Sequence, residues 1–112
     1  MKQIANSSYQ EFSDSKFKKL LLFKQGEMDA YRLNFLPGQG VPLHRHPGAE
    51  VYLIVIEGSG MVQADNEQAK VSAGDMVHVT GEELFAFTNT GDGKASLYVF
   101  LKKNKVAEET GG

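Results

Sequence analysis

The chain has 112 residues, which suits one domain with a modest core. It contains no cysteine, so disulfides, thiolate metal ligands and cysteine nucleophiles are excluded. Twelve Lys and Arg against fourteen Asp and Glu give a net charge of -2, without the basic stripe that nucleic acid or an anionic membrane surface requires.

In chain order, residues 9–17 admit a short N-terminal helix. Lys16, Lys18 and Lys19 then read as the solvated edge of a first strand. Its apolar stretch, Leu20-Leu21-Leu22-Phe23, is too short for a signal-peptide core or a membrane span, and a soluble cytoplasmic protein is the expectation. Apolar or mixed runs follow at about 19–24, 28–36, 50–56, 61–64, 76–79, 84–88 and 95–101. Turn-forming clusters separate them: Pro37-Gly38-Gln39-Gly40, Gly58-Ser59-Gly60, Asp65-Asn66-Glu67, Ala73-Gly74-Asp75 and Asn89-Thr90-Gly91. Many short strands with closely spaced turns predict an all-β sandwich or barrel, formed by one domain over 1–112. Residues 103–112 are polar, end in Gly-Gly and read as a tail.

Two strands are apolar on both faces. In Val51-Tyr52-Leu53-Ile54-Val55-Ile56 both alternating sets are hydrophobic, and Leu97-Tyr98-Val99-Phe100-Leu101 repeats the pattern. Successive strand side chains point to opposite faces, so both sides of each strand need cover. A second copy of the chain is the simplest cover and predicts a homodimer. An N-terminal segment folded back over one sheet is the alternative.

The chemistry concentrates at His44-Arg45-His46, between a Gly/Pro-rich loop and the most apolar strand. On extended backbone two residues apart, both imidazoles project from one face about 7 Å apart along the chain. They can converge on one divalent transition metal (Fe, Mn, Ni, Cu or Zn), with Glu50 as the nearest carboxylate to complete the set.

The stretch from Gly38 through His44, His46 and Glu50 to Gly58 resembles the first signature of the cupin superfamily. Gly74-Asp75, Thr80, Phe85 and Asn89 follow the spacing of the second. The resemblance covers about residues 33–101 and implies a double-stranded β-helix, or jelly-roll barrel, with a metal and small-molecule site in its mouth. Two departures stand out. Seven residues separate Glu50 from Gly58 where the signature has six; a four-residue spacing would put the ligand at Val51. Glu50 therefore reaches the site only if a bulge, or slack in Pro47-Gly48-Ala49, absorbs one residue. In the second signature Phe85 stands in the slot of the metal-binding histidine, and a phenyl ring cannot ligate a metal.

The candidate metal ligands are thus His44, His46 and Glu50. Phe85, His78, Arg32 and Asn34 are candidate pocket-lining residues, the last two as polar interruptions of one parity in a hydrophobic strand. Three readings of function follow: a metal-dependent enzyme acting on a small molecule, a metal-free binding or sensor module, and an assembly role with a filled barrel. No general base with a partner stands out beside the motif, and the sequence leaves catalysis open.

Overall fold

In a computed structural model that describes residues 1–104, the chain forms nine strands and, among those residues, no helix. They are β1 (Lys18–Gln25), β2 (Met28–Phe35), β3 (Gly40–His44), β4 (Ala49–Glu57), β5 (Ser59–Ala64), β6 (Glu67–Ser72), β7 (Met76–Thr80), β8 (Phe85–Thr88) and β9 (Ala95–Lys103). Two antiparallel sheets face each other, one in the order β1-β2-β9-β4-β7 and the other β3-β8-β5-β6. This is the jelly-roll architecture of a double-stranded β-helix.

Seven strands coincide with the seven apolar runs. The other two lack such a signal: β3 is broken by Pro42, and β6 exposes all but one of its side chains. Lys103, read from its composition as the start of the tail, pairs with Ala49 across β9 and β4. Residues 105–112 lie outside the described residues.

The core follows from strand alternation. Odd-numbered residues of β4 and β9 (Val51, Leu53, Val55, Ala95 and Leu97) are buried between the sheets with Val62 and Phe87 of the opposite sheet. Phe35 stacks on Phe17 at 5.3 Å and meets Phe87 at 4.9 Å between ring centroids. Fully burying side chains of this size contributes about 2 kcal/mol each.

Even-numbered residues of the same sheet form an outer face, and its cover corrects the expected N-terminal helix. The N-terminal segment is not a helix. It lies over β2, and its carbonyls accept from outer-face side chains instead of from helical amides. Arg32 donates to the carbonyls of Asn6 and Ser8, and Asn34 to those of Tyr9 and Glu11. Tyr9 is held at φ 61°, incompatible with a right-handed helix. The fold-back therefore covers the β2 side of the outer face. Tyr52 and Met76, on β4 and β7, remain exposed.

Candidate functional site

The barrel mouth is built around a bulge. In β3, Val41 pairs with Phe87 and His44 with Phe85, so three steps on one strand match two on the other. The extra residue reverses strand parity, which is why Val41 and His44, three apart, both face the interior. Pro42 sits within the irregularity, where the missing amide is tolerated. Its carbonyl accepts from His44 Nδ1 at 2.7 Å, which puts the ring proton on Nδ1 and leaves Nε2 as the free nitrogen.

His46 is fixed by its backbone. Its amide donates to the Gly81 carbonyl (2.9 Å), and its own carbonyl accepts from Ala49 (3.0 Å). Between them Pro47 and Gly48 form a type II turn, with Gly48 at the required φ of 79°. Arg45 Nε donates to the Glu82 carbonyl, tying the same segment to the β7–β8 turn. A Cβ on Gly81 would collide with the carbonyl oxygens of both His46 and Ala49, so only glycine lets the histidine segment lie this close.

The two imidazoles meet edge to face with centroids 4.4 Å apart, and His44 meets the Phe85 ring at 5.6 Å. They open onto a cavity of about 70 Å³. Phe17, Leu33, Val41, Phe85, Val99 and Leu101 supply its apolar wall, and Lys19, Tyr31, His44 and His46 its polar groups. Lys19 rests its ammonium over the Tyr31 ring at 4.4 Å. Burial, followed by the nearby His44 and Lys19, holds the His46 imidazole below the ordinary histidine range. Tyr31 is pushed above the ordinary phenol value, chiefly by burial and then by Asp29, to whose carboxylate its hydroxyl donates at 3.5 Å.

The other candidate residues lie elsewhere. Glu50 is not beside the imidazoles. It pairs with Thr80 and Lys102 in uninterrupted register, so no bulge intervenes and it shares the outer face with Tyr52. There it meets His78, Nε2 to Oε1 at 2.6 Å, and His78 stacks on Tyr52 at 4.8 Å. Neither lines the mouth. Arg32 and Asn34 are fully buried, but under the N-terminal segment; Arg32 also donates to Asn34 Oδ1 and Ser96 Oγ. The sequence pattern missed Lys19 and Tyr31, although each stands two residues from an inward-facing neighbour, Phe17 and Leu33, and so shares its parity.

These positions bear on the metal that the resemblance implies. Among the described residues no group of three or more histidine and carboxylate side chains converges on one point. Phe85 places carbon where another donor would stand, and Glu50 faces away. The residues present do not make the three-ligand centre usual for a catalytic metal.

The family model described as the cupin domain matches residues 31–101. The chain belongs to the cupin family. Its barrel is similar to a Klebsiella pneumoniae protein described as an uncharacterized conserved protein with a double-stranded β-helix domain. That match has TM-score 0.86 and 16% identity over 94% of this chain and 92% of the other. TT1209 from Thermus thermophilus matches at TM-score 0.80 and 22% identity, over 85% and 90% of the two chains. An oxalate oxidase in complex with the substrate analogue glycolate matches at TM-score 0.72 and 19% identity over 92% of this chain, which spans 57% of that larger protein. At these identities the likeness is one of fold. No curated protein matches the chain.

Proposed function

We propose that this cupin is a small binding module whose barrel mouth takes up a small molecule between the His44–His46 pair and the apolar wall. The carrying observation is the lining itself: two imidazoles at 4.4 Å, His44 edge-on to Phe85, in a mostly apolar cavity whose other polar groups are Lys19 and Tyr31. Small-molecule sites have this character, with a mostly apolar surface and a few polar groups that fix orientation. By this measure a water needs roughly 10–15 Å³, so the mouth holds several waters or a molecule of a few heavy atoms.

A second reading is favoured by the His44 Nδ1 bond to the Pro42 carbonyl, because that bond frees Nε2 and orients the ring as backbone carbonyls orient metal-bound histidines. In it, His44 and His46 hold a divalent transition metal (Fe, Mn, Ni, Cu or Zn). Elemental mass spectrometry on tag-free protein, beside a His44→Ala, His46→Ala double variant, separates the two. Stoichiometric metal lost in the double variant establishes the second reading; none after loading with each metal in turn leaves the first.

The exposed half of the outer face, with Tyr52, Met76 and the half-buried Ile54, supports a homodimer in which a second copy covers β4 and β7. Sedimentation at micromolar concentration tests it, with Met76→Glu expected to give monomer. A wild-type monomer would remove the dimer.

A further inference from the structure

Resting on the binding reading above, we propose that the molecule held in the mouth is a small monocarboxylate, its charge taken by Lys19 at the rim and its short alkyl body lying against Phe85 and Val99.

The charge argument begins with what β1 does with its lysines. Lys18 lies 3.8 Å from Glu11 and Lys24 lies 3.8 Å from Asp29. Lys19, between them on the inward-facing side of the strand, has no carboxylate within ion-pair distance among the described residues. It sits on the face of Tyr31 instead, at the cavity rim. An aromatic face attracts a cation but carries no net charge, so the ammonium remains uncompensated at the mouth. The Tyr31 hydroxyl is directed to Asp29 and His44 Nδ1 to Pro42, so neither atom competes for the ammonium. Among the described residues no acidic side chain lines the cavity. A cavity bordered by a cation and two imidazoles, with no acid, favours a negative guest.

Size and polarity narrow the guest further. The space of about 70 Å³ admits a carboxylate and a short chain of carbons. A second charge on the guest would be pressed against Phe17, Leu33 and Phe85, where the imidazoles are the only hydrogen-bonding groups and, among the described residues, no second cation lines the wall, and burying an unpaired charge is costly. One charge at the rim and an alkyl body inside meet both constraints. A charge-assisted hydrogen bond to Lys19 also distinguishes a carboxylate from its neutral amide.

The test is amide NMR titration of the full chain with butyrate, butyramide and succinate, repeated on Lys19→Met and Lys19→Arg. Lys19 is exposed, so both variants are expected to fold, and the unliganded spectrum verifies this. The expected result is saturable movement of the His44, His46 and Phe85 amides by butyrate. Butyrate should bind about tenfold more tightly than butyramide, a difference that disappears in Lys19→Met and survives in Lys19→Arg. Equal binding of butyrate and butyramide, unchanged by Lys19→Met, would overturn the anion preference and leave the binding reading standing. Tighter binding of succinate would overturn the single-charge limit. If none of the three moved the cavity amides, this inference would fall, and metal loading of the same sample would then decide whether the binding reading falls with it.

Discussion

Glu50 and His78 face each other across β4 and β7 at 2.6 Å, on the side of the sheet away from the imidazole pair. The hydrogen bond from His78, more than any other influence, holds the Glu50 carboxyl below its ordinary range. Glu50→Gln is therefore expected to leave ligand or metal uptake at the mouth unchanged. Its effect should appear in acid stability. A carboxylate with a lowered folded value stabilises the protein above the ordinary carboxylate range, about 4.3, and that contribution is lost as pH falls through the folded value. Chemical denaturation at pH 7 and pH 3.5 should show a shallower acid loss in the variant. A change in binding at the mouth would place Glu50 in the site after all.

Phe85 closes the cavity where the second cupin signature carries a histidine. Phe85→His adds a third imidazole next to His44 and His46, the ligand number of many catalytic zinc and iron sites. The variant is expected to bind zinc or nickel at least about tenfold more tightly than the wild type, about 1.4 kcal/mol. It should also lose about 1–3 kcal/mol of metal-free stability, because a polar ring replaces a buried phenyl. Isothermal titration with and without chelator measures the first effect and urea denaturation the second. Unchanged metal affinity would mean that the residue-85 side chain does not converge with the pair.

Gly81 sets the position of His46 without touching a ligand. Any Cβ there meets two carbonyl oxygens of the His46–Ala49 turn, so Gly81→Ala must displace that turn or strain it. Weaker guest binding at the mouth and shifted His46 ring resonances are expected, with a stability loss on the order of 1–3 kcal/mol. A variant with unmoved His46 resonances would show that the segment yields elsewhere.

Arg32 anchors the N-terminal segment. Its guanidinium is fully buried and donates to two carbonyls of that segment, to Asn34 and to Ser96. Arg32→Ala leaves those acceptors unpaired and removes the stem that fills the space beneath them. The expected loss is about 3 kcal/mol, a fall in melting temperature of roughly 10–20 °C. Hydrogen exchange should rise first in residues 1–13. A loss under 1 kcal/mol would mean that water replaces the guanidinium without cost.

How much of this was legible in the sequence depends on how far apart the interacting partners lie. Strand parity is local, so the two-sided β4 and β9 could be read directly, and the alternation of Val51, Leu53 and Val55 already implied an outward Glu50. The slack sought in Pro47-Gly48-Ala49 is real, but it is spent on the type II turn that fixes His46. Arg32 and Asn34 read as pocket groups because their actual partners stand 23 to 26 residues earlier, in a segment with no periodicity of its own. The parity reversal at Pro42 was equally hidden, since a bulge depends on the partner strand.

His46 supplies the pH dependence closest to the site. Its imidazole is held below the ordinary histidine value by burial first and then by His44 and Lys19. Between that lowered value and about 6.5 the unfolded chain binds a proton that the folded chain does not, so stability rises with pH across this interval. The contribution is fully present above about 6.5 and is lost as pH falls toward the folded value. Glu50 acts in the same direction but in a more acidic window, so it contributes little between pH 5 and 8. Denaturant midpoints for wild type and His46→Gln should diverge least at pH 5 and most at pH 8, if the glutamine costs the same packing throughout. A difference that stayed constant over that range would mean that the imidazole is solvated as freely in the barrel mouth as in the unfolded chain, contrary to its place against His44.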